Sequence, residues 1–287
     1  MNAALARHAD ALGQPADDGC PASRTTERHA VQRWRERQSA EGAASLAQEV
    51  PIAFEYNGIS HAVMLATPAD LHDFAVGFSA SEDIAQPDDC FDVDFQVSEA
   101  GITLSIEIAA GAFAQLKSRR RTLVGRTGCG ICGAESLQQV LRPLPDLSLR
   151  GPRVDPSALA RAHATLLDMQ PLQRATGAAH LAVWCDPDGA IVLAREDIGR
   201  HNALDKLIGA LLRARVDTRA GFALVTSRAS VEMVQKSARA GIAVLAAVSA
   251  PTALAVRTAA SCGQTLLGFV RGESFSVYTR ADRVERT

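Results

Sequence analysis

Two cysteines three positions apart, Cys129 and Cys132, lie in the segment Gly125-Arg126-Thr127-Gly128-Cys129-Gly130-Ile131-Cys132-Gly133. So many glycines leave little side-chain mass to pack against, so a purely structural role for these sulfurs fits poorly. Two chemistries suit the pair. As ligands, they are half of a tetrahedral zinc site. The chain offers no second Cys-X-X-Cys and no His-X-X-X-His, so Cys185, Cys262 or isolated histidines would have to complete it. A deaminase-type zinc site also needs a His-X-Glu upstream of Pro-Cys-X-X-Cys, and none is present. As a nucleophile, a cysteine reacts as thiolate, which cationic neighbours and helix starts favour. Arg126 and the run Lys117-Ser118-Arg119-Arg120-Arg121 supply the cations. Ala134-Glu135-Ser136-Leu137 reads as the first turn of a helix, placing Cys132 near its positive end. The residues alone leave sulfur transfer and thiol–disulfide exchange both open.

The densest polar stretch is Arg195-Glu196-Asp197-Ile198-Gly199-Arg200-His201-Asn202-Ala203-Leu204-Asp205-Lys206. It falls where a strand gives way to an amphipathic helix, a frequent place for sites in α/β folds. Capping accounts for Asn202, and a solvated helix face for Asp205 and Lys206. The cluster of Glu196, Asp197, Arg200 and His201 asks for more than capping.

The elements that must position these groups follow from the rest of the pattern. The 287 residues are 47% hydrophobic with a net charge of -2, enough for one large or two ordinary domains and against wholesale nucleic-acid coating. Aromatics at 5% argue against an oligonucleotide-stacking surface. Six cysteines with one close pair are no disulfide framework, and no basic start leads into an apolar signal core between Met1 and Gln14. No run reaches the length of a membrane helix, so the expected compartment is the reducing cytosol. Residues 1–45 are charged and poor in aliphatics, and read as a disordered tail without a packed core.

Residues 46–145 read as a small α+β subdomain. Strands flank Asn57-Gly58, a helix opens with Thr67 as cap and Pro68 at its first position, and two more strands turn near Gly101. The Cys-X-X-Cys loop ends this unit. Residues 146–287 alternate short apolar strands (179–185, 190–194, 221–226, 242–248, 265–269) with helices (159–167, 203–212, 231–239, 253–260). That alternation predicts an α/β domain with a mainly parallel or mixed sheet covered on both faces.

Several segments in this order resemble the formate dehydrogenase accessory protein family, FdhD: Gly128–Gly133, Glu196–Ala203, Ser227-Arg228, Ser249-Ala250-Pro251-Thr252, and Gly268–Glu273 with Val277-Tyr278. The resemblance spans roughly residues 47–280. It implies a cytidine-deaminase-like three-layer α/β/α second domain lacking the zinc signature, in keeping with the missing His-X-Glu. It implies a sulfurtransferase that accepts persulfide sulfur from an IscS-like cysteine desulfurase and passes it to the molybdenum cofactor, the bis(molybdopterin guanine dinucleotide) form, of apo formate dehydrogenase. Cys129 then matches the persulfide carrier and Cys132 the second cysteine. Phe269, Val270, Arg271, Gly272, Glu273 and Ser274 match a cofactor-binding segment, although family members often carry a basic residue where this chain has Ser274. The family tends toward homodimers, and no metal of the protein's own is implied.

The residues add a physical reason for such a ligand. If strands 221–226 and 242–248 are parallel neighbours, Thr226–Ser230 and Ser249–Thr252 emerge on one sheet edge and each leads into a helix. Helix N-termini of this kind bind phosphate. Ser249 and Thr252 would line the crevice, Arg228 and Arg271 would add charge, and Ser230 and Thr252 would also cap their helices. Two rivals stand beside the sulfur relay: a cofactor-binding chaperone that transfers no sulfur, and a zinc-dependent deaminase-like hydrolase.

Overall fold

A computed structural model describes residues 24–124 and 143–285. The Cys129–Cys132 loop and the helix start expected at Ala134 therefore lie outside the described residues, as do residues 1–23.

The chain first forms an antiparallel ribbon, β1 (Thr26–Arg35) and β2 (Gln38–Ala47). This corrects the tail expected through residue 45. The two-residue turn, Glu36-Arg37, takes left-handed φ values of 51° and 68° without glycine or asparagine. The strands carry no apolar alternation and stay largely exposed, so neither usual signal of a hairpin is present. The absence of a packed core there was legible; the strands were not.

A four-stranded sheet follows, in the order β4-β3-β6-β5. Its strands are β3 (Val50–Tyr56), β4 (Ile59–Ala66), β5 (Cys90–Ser98) and β6 (Gly101–Ile108). Asn57 and Gly58 adopt the positive φ values that their turn requires (47° and 75°). Alternate residues Ile52, Phe54, Tyr56, Ile102, Leu104 and Ile106 turn to one face, where α1 (Leu71–Ser81) buries Leu71, Phe74 and Phe78 against them. Helix α2 (Ala110–Val124) adds Leu116 to the same core and carries the start of the basic run, with Lys117 Nζ 4.4 Å from the Phe113 ring centre.

The expected start of α1 is corrected. It begins at Leu71, with Asp70 as the preceding residue in left-handed conformation (φ 56°), not with Thr67 as cap and Pro68 at the first position. Thr67 is engaged elsewhere: its hydroxyl accepts from the Ile198 N–H and its carbonyl from Lys206.

The larger unit is a six-stranded mixed sheet, ordered β12-β11-β10-β9-β7-β8. The strands are β7 (His180–Cys185), β8 (Ile191–Asp197), β9 (Phe222–Val225), β10 (Val244–Ala247), β11 (Thr265–Arg271) and β12 (Ser274–Thr279). β9, β10 and β11 are parallel; β7, β8 and β12 pair antiparallel with their neighbours. One face packs on α5 (Arg200–Arg213), α6 (Val231–Arg239) and α7 (Ala253–Ser261) through Leu204, Leu207, Ile208, Met233, Val234 and Ala255. The other packs on α3 (Pro156–Thr165) through Ala158, Leu159 and Ala162. The short α4 (Pro171–Thr176) precedes β7. This is the three-layer α/β/α arrangement with a mixed sheet. Among the described residues no helix is long and apolar enough to cross a membrane.

The two sheets are joined through α1 lying on α5. A Cβ on Gly77 would meet the Asp205 carbonyl oxygen at 1.7 Å, and one on Gly209 would meet that of Asp73 at 1.8 Å. Only glycine lets these two backbones approach so closely.

Candidate functional site

The parallel strands β9 and β10 end at one edge, and their following loops touch there. The Ala229 N–H donates to the Ala250 carbonyl (3.2 Å) and the Thr252 N–H to that of Ala229 (3.1 Å). The Phe269 N–H reaches the Ser249 carbonyl at 3.2 Å, bringing β11 to the same place. Gly268 is needed here, because a Cβ would lie 2.9 Å from Pro251 Cδ and 3.0 Å from Tyr278 Cε2. β7 runs antiparallel to β9, so its first residues join this edge, with the Leu181 N–H donating to Thr226 Oγ1 at 3.0 Å. His180 pairs with Asp197 at the end of β8. The N-termini of α5, α6 and α7 thus share one end of the sheet with the starts and ends of these strands, the geometry in which α/β proteins hold anionic ligands.

Among the expected cofactor-binding residues, the fold brings Arg228, Ser249, Thr252 and Phe269 together. Arg228 and Thr252 are exposed, and Ser249 is half-buried. Thr252 Oγ1 accepts from the Ala255 N–H at 3.2 Å, the cap expected of it. Ser230 does not cap: its hydroxyl donates to Glu232 Oε2 at 2.9 Å, leaving the α6 N-terminus without a side-chain acceptor. Phe269 holds a left-handed φ of 55°, lies in a bulge of β11, and leaves its ring 44% exposed. Residues held at strained backbone angles collect at functional sites. Val270 is different: its side chain is fully buried with α3 beneath the sheet, so only its backbone can face a ligand. Arg271, Gly272, Glu273 and Ser274 form the β11–β12 hairpin tip, where the Gly272 N–H contacts His163 Nδ1 at 3.3 Å. The segment 269–274 therefore splits between the loop cluster and the tip.

The polar stretch after β8 also divides. Asp197 is fully buried and accepts from the N–H groups of Thr67 (3.0 Å) and Gly199 (2.8 Å), from Asn202 Nδ2 (3.0 Å) and from Lys206 Nζ (2.6 Å). Asn202 sits inside the helix and donates also to the Leu65 carbonyl, so it is not the cap; Gly199 occupies that position. Asp205 and Lys206, expected on a solvated face, are both fully buried. The reason is α1, which covers the face of α5 that the amphipathic pattern leaves polar. Asp205 binds Ser81 Oγ and Lys236 Nζ, and Lys236 also reaches Glu82 at 2.7 Å. Burial pulls the Lys236 ammonium down, but Asp205 and Glu82 outweigh it and hold its pKa above the ordinary value. Asp73 completes the junction with Arg195 (2.7 Å) and Arg213 (2.6 Å). Glu196 instead fixes the first turn of α4, accepting from the N–H groups of Leu172 and Gln173.

Arg200 and His201, at the start of α5, remain for the crevice. Arg200 Nε and His201 Nε2 are buried atoms with no hydrogen-bond partner among the described residues. His201 Nε2 lies 3.3 Å from Glu232 Oε2, close enough for attraction but misaligned for a hydrogen bond. Burial, then Arg200, pushes the His201 imidazole below its ordinary pKa against the pull of Glu232. His180 is lowered in the same way, by burial and then Arg200, with Asp197 opposing. The Arg200 guanidinium supplies positive charge here, and an imidazole N–H can add a hydrogen bond to an incoming anion. Sequence reasoning missed His180; its signal was the position at a strand start, opposite Asp197 across a hairpin.

The described free cysteines offer no reactive thiol. Burial, then Asp89, pushes the Cys90 thiol up to about 11, and burial also raises Cys185 and Cys262, both enclosed in apolar clusters. Cys129 and Cys132 lie outside the described residues.

Comparison with known proteins identifies the family. The model of the FdhD/NarQ family matches residues 47–285, and the chain belongs to that family. A protein of Variovorax paradoxus named sulfur carrier protein FdhD is 53% identical over 240 residues, 83% of this chain and 86% of that one. One of the same name from Cupriavidus necator is 52% identical over 272 residues, 94% and 93% of the two chains. Another, from Xanthomonas campestris pv. campestris, is 51% identical over 276 residues, 95% and 96% of the two. The crystal structure of a protein of Desulfotalea psychrophila, described as a formate dehydrogenase accessory protein, superposes with a TM-score of 0.71. It covers 91% of this chain and all of its own at 22% identity, and so attests the fold.

Proposed function

We propose that this protein is a cytosolic sulfur carrier serving formate dehydrogenase, with Cys129 as the carrying thiol. The observation that carries the reading is the set of relatives named sulfur carriers, about half identical over nearly the whole chain. The poor nucleophilicity of Cys90, Cys185 and Cys262 adds to it by directing attention to the glycine-flanked pair.

In the relay, the Cys129 thiolate attacks the outer sulfur of a cysteine desulfurase persulfide. The S–S bond of that persulfide breaks, the desulfurase cysteine leaves as thiolate, and Cys129 holds the sulfur as its own persulfide. Once the cofactor substrate is bound to receive the sulfur, the Cys132 thiolate attacks Cys129 Sγ, expelling the outer sulfur as sulfide and leaving a Cys129–Cys132 disulfide. A small-molecule or protein thiol reduces that disulfide for the next cycle. The sulfide goes to the molybdenum of the bis(molybdopterin guanine dinucleotide) substrate.

The crevice at the carboxyl edge of β9–β11 is the reading's place for that substrate's phosphates. Arg228, Ser249, Thr252 and the uncapped N-terminus of α6 supply charge and donors, Arg200 and His201 hold further donors, and Phe269 offers an exposed ring. The test pairs two readouts in cells that depend on this protein. Cys129→Ala is expected to abolish formate dehydrogenase activity while leaving cofactor binding intact. Activity surviving Cys129→Ala, but not deletion of the whole protein, would replace the relay with a cofactor-binding chaperone.

A further inference from the structure

Among the donors that line the crevice stands one carboxylate. Glu232 lies in the first turn of α6, and its Oε2 sits between the starts of two helices. It accepts from Ser230 Oγ at 2.9 Å and lies 3.3 Å from His201 Nε2 in the first turn of α5. An acidic residue in a first helical turn is ordinary, because it answers the positive end of the helix dipole. This one does so in the place where a phosphate would gain from the same dipole. It also engages the Ser230 hydroxyl, which caps no helix N–H group.

The carboxylate is held loosely. Lys236, one turn further along α6, gives its ammonium to Asp205, Ser81 and Glu82 instead. The His201 ring beside it is pushed toward its neutral form by burial and by Arg200, so the attraction between the two stays weak. The Glu232 side chain is 56% exposed, and rotation about its own bonds carries it into solvent without disturbing the core. A phosphate arriving at the α6 N-terminus therefore meets a like charge that can be moved. Until it moves, the Ser230 hydroxyl is taken and the edge of His201 is covered.

We propose that Glu232 is an internal competitor for the crevice: its carboxylate occupies the anion position at the α6 N-terminus and gives way to a phosphate of the ligand. This rests on the reading of the crevice as the phosphate site. Displacement frees Ser230 Oγ and the His201 ring edge to bond the phosphate, beside Arg228 at the same sheet edge. The exchange makes the site selective, because a ligand without phosphate gains nothing from moving Glu232. It also loosens binding, which suits a carrier whose cofactor must pass on to an enzyme.

Titration calorimetry of the full chain tests this, with guanosine diphosphate, the guanine end of the dinucleotide, as the probe. Glu232→Ala and Glu232→Gln are each expected to bind it about two- to fivefold more tightly than the wild type, the scale of one charge at a helix N-terminus. Guanosine, which has no phosphate, is expected to show no such gain. A residue that merely supported the site would weaken binding when removed, so the sign of the change is decisive. Tightening by Glu232→Gln alone would mark a new amide donor in place of a lost competitor and overturn the proposal. An equal gain for guanosine would overturn it too. Arg228→Ala separates the two levels of the argument. If it weakens binding while both Glu232 variants bind no more tightly than the wild type, the crevice stands and the role of Glu232 falls. If the wild type binds no guanosine diphosphate, or Arg228→Ala leaves binding unchanged, the crevice reading falls and the proposal with it.

Discussion

The stretch from Asp197 to Lys206 faces two environments. Toward α1, Asp197, Asn202, Asp205 and Lys206 are buried and bonded, and they tie the α5 helix to Thr67, Leu65 and Ser81 of the smaller unit. Toward the strand ends, Arg200 Nε is a buried donor without a hydrogen-bond partner among the described residues, and His201 Nε2 has beside it only the Glu232 carboxylate, at 3.3 Å. The difference teaches how to read a dense polar motif. Residues buried and bonded across the junction hold the two units in register. Residues left with unmatched donors next to three helix N-termini are placed for something that arrives from outside.

The comparison breaks most readily at the junction. Removing the Asp197 carboxylate leaves Lys206 as a charge buried without its partner, a defect that costs about 3–5 kcal/mol. Asp197→Ala is therefore expected to lower the denaturation midpoint severely or to prevent folding, and a loss below about 1 kcal/mol would contradict the role given to this pair. Gly209→Ala comes next. Its methyl would strike the Asp73 carbonyl, and overpacking of this kind costs about 1–3 kcal/mol. Urea unfolding of the purified protein measures both.

On the crevice side the expectation reverses. Arg200→Ala and His201→Ala each remove a half-buried side chain with a nitrogen that makes no hydrogen bond among the described residues, so the stability loss is expected to stay near or below about 1 kcal/mol. Formate dehydrogenase activity in complemented cells is expected to fall several-fold with either. Stability loss as large as at Asp197 would erase the distinction between the two sides.

The smallest effect is on pH dependence. His180 and His201 have folded pKa values below the ordinary 6.5, so the unfolded chain takes up their protons first. Their contribution to stability is complete above about pH 6.5 and is lost as pH falls from there through the depressed folded values. The double variant H180Q/H201Q is expected to flatten the decline between pH 6.5 and pH 5. An unchanged slope would mean that these imidazoles titrate alike in both states.

How much of this was legible depended on whether the deciding contact was local. Asn57-Gly58 announced its hairpin because the turn geometry is a property of those two residues. Glu36-Arg37 announced nothing, since both residues occupy conformations that they disfavour. The alternating strands and helices of the larger unit gave its layers, and the shared edge of the loops after β9 and β10 followed from their parallel pairing. The burial of Asp205 and Lys206 was hidden because it depends on α1, more than a hundred residues earlier in the chain. For the same reason Thr67 looked like a cap and is instead a junction residue. Val270 lies in the segment that the resemblance assigns to cofactor binding, but the bulge turns its side chain into the core and leaves only its backbone for a ligand, which no local pattern announces.

The most direct test of the sulfur-carrier account is the intact mass of the protein after incubation with a cysteine desulfurase and cysteine. The account predicts an adduct of one sulfur atom on the wild type, removed by a thiol reductant and absent from Cys129→Ala. A wild-type protein that gains no sulfur, or a Cys129→Ala protein that gains it equally well, would contradict it.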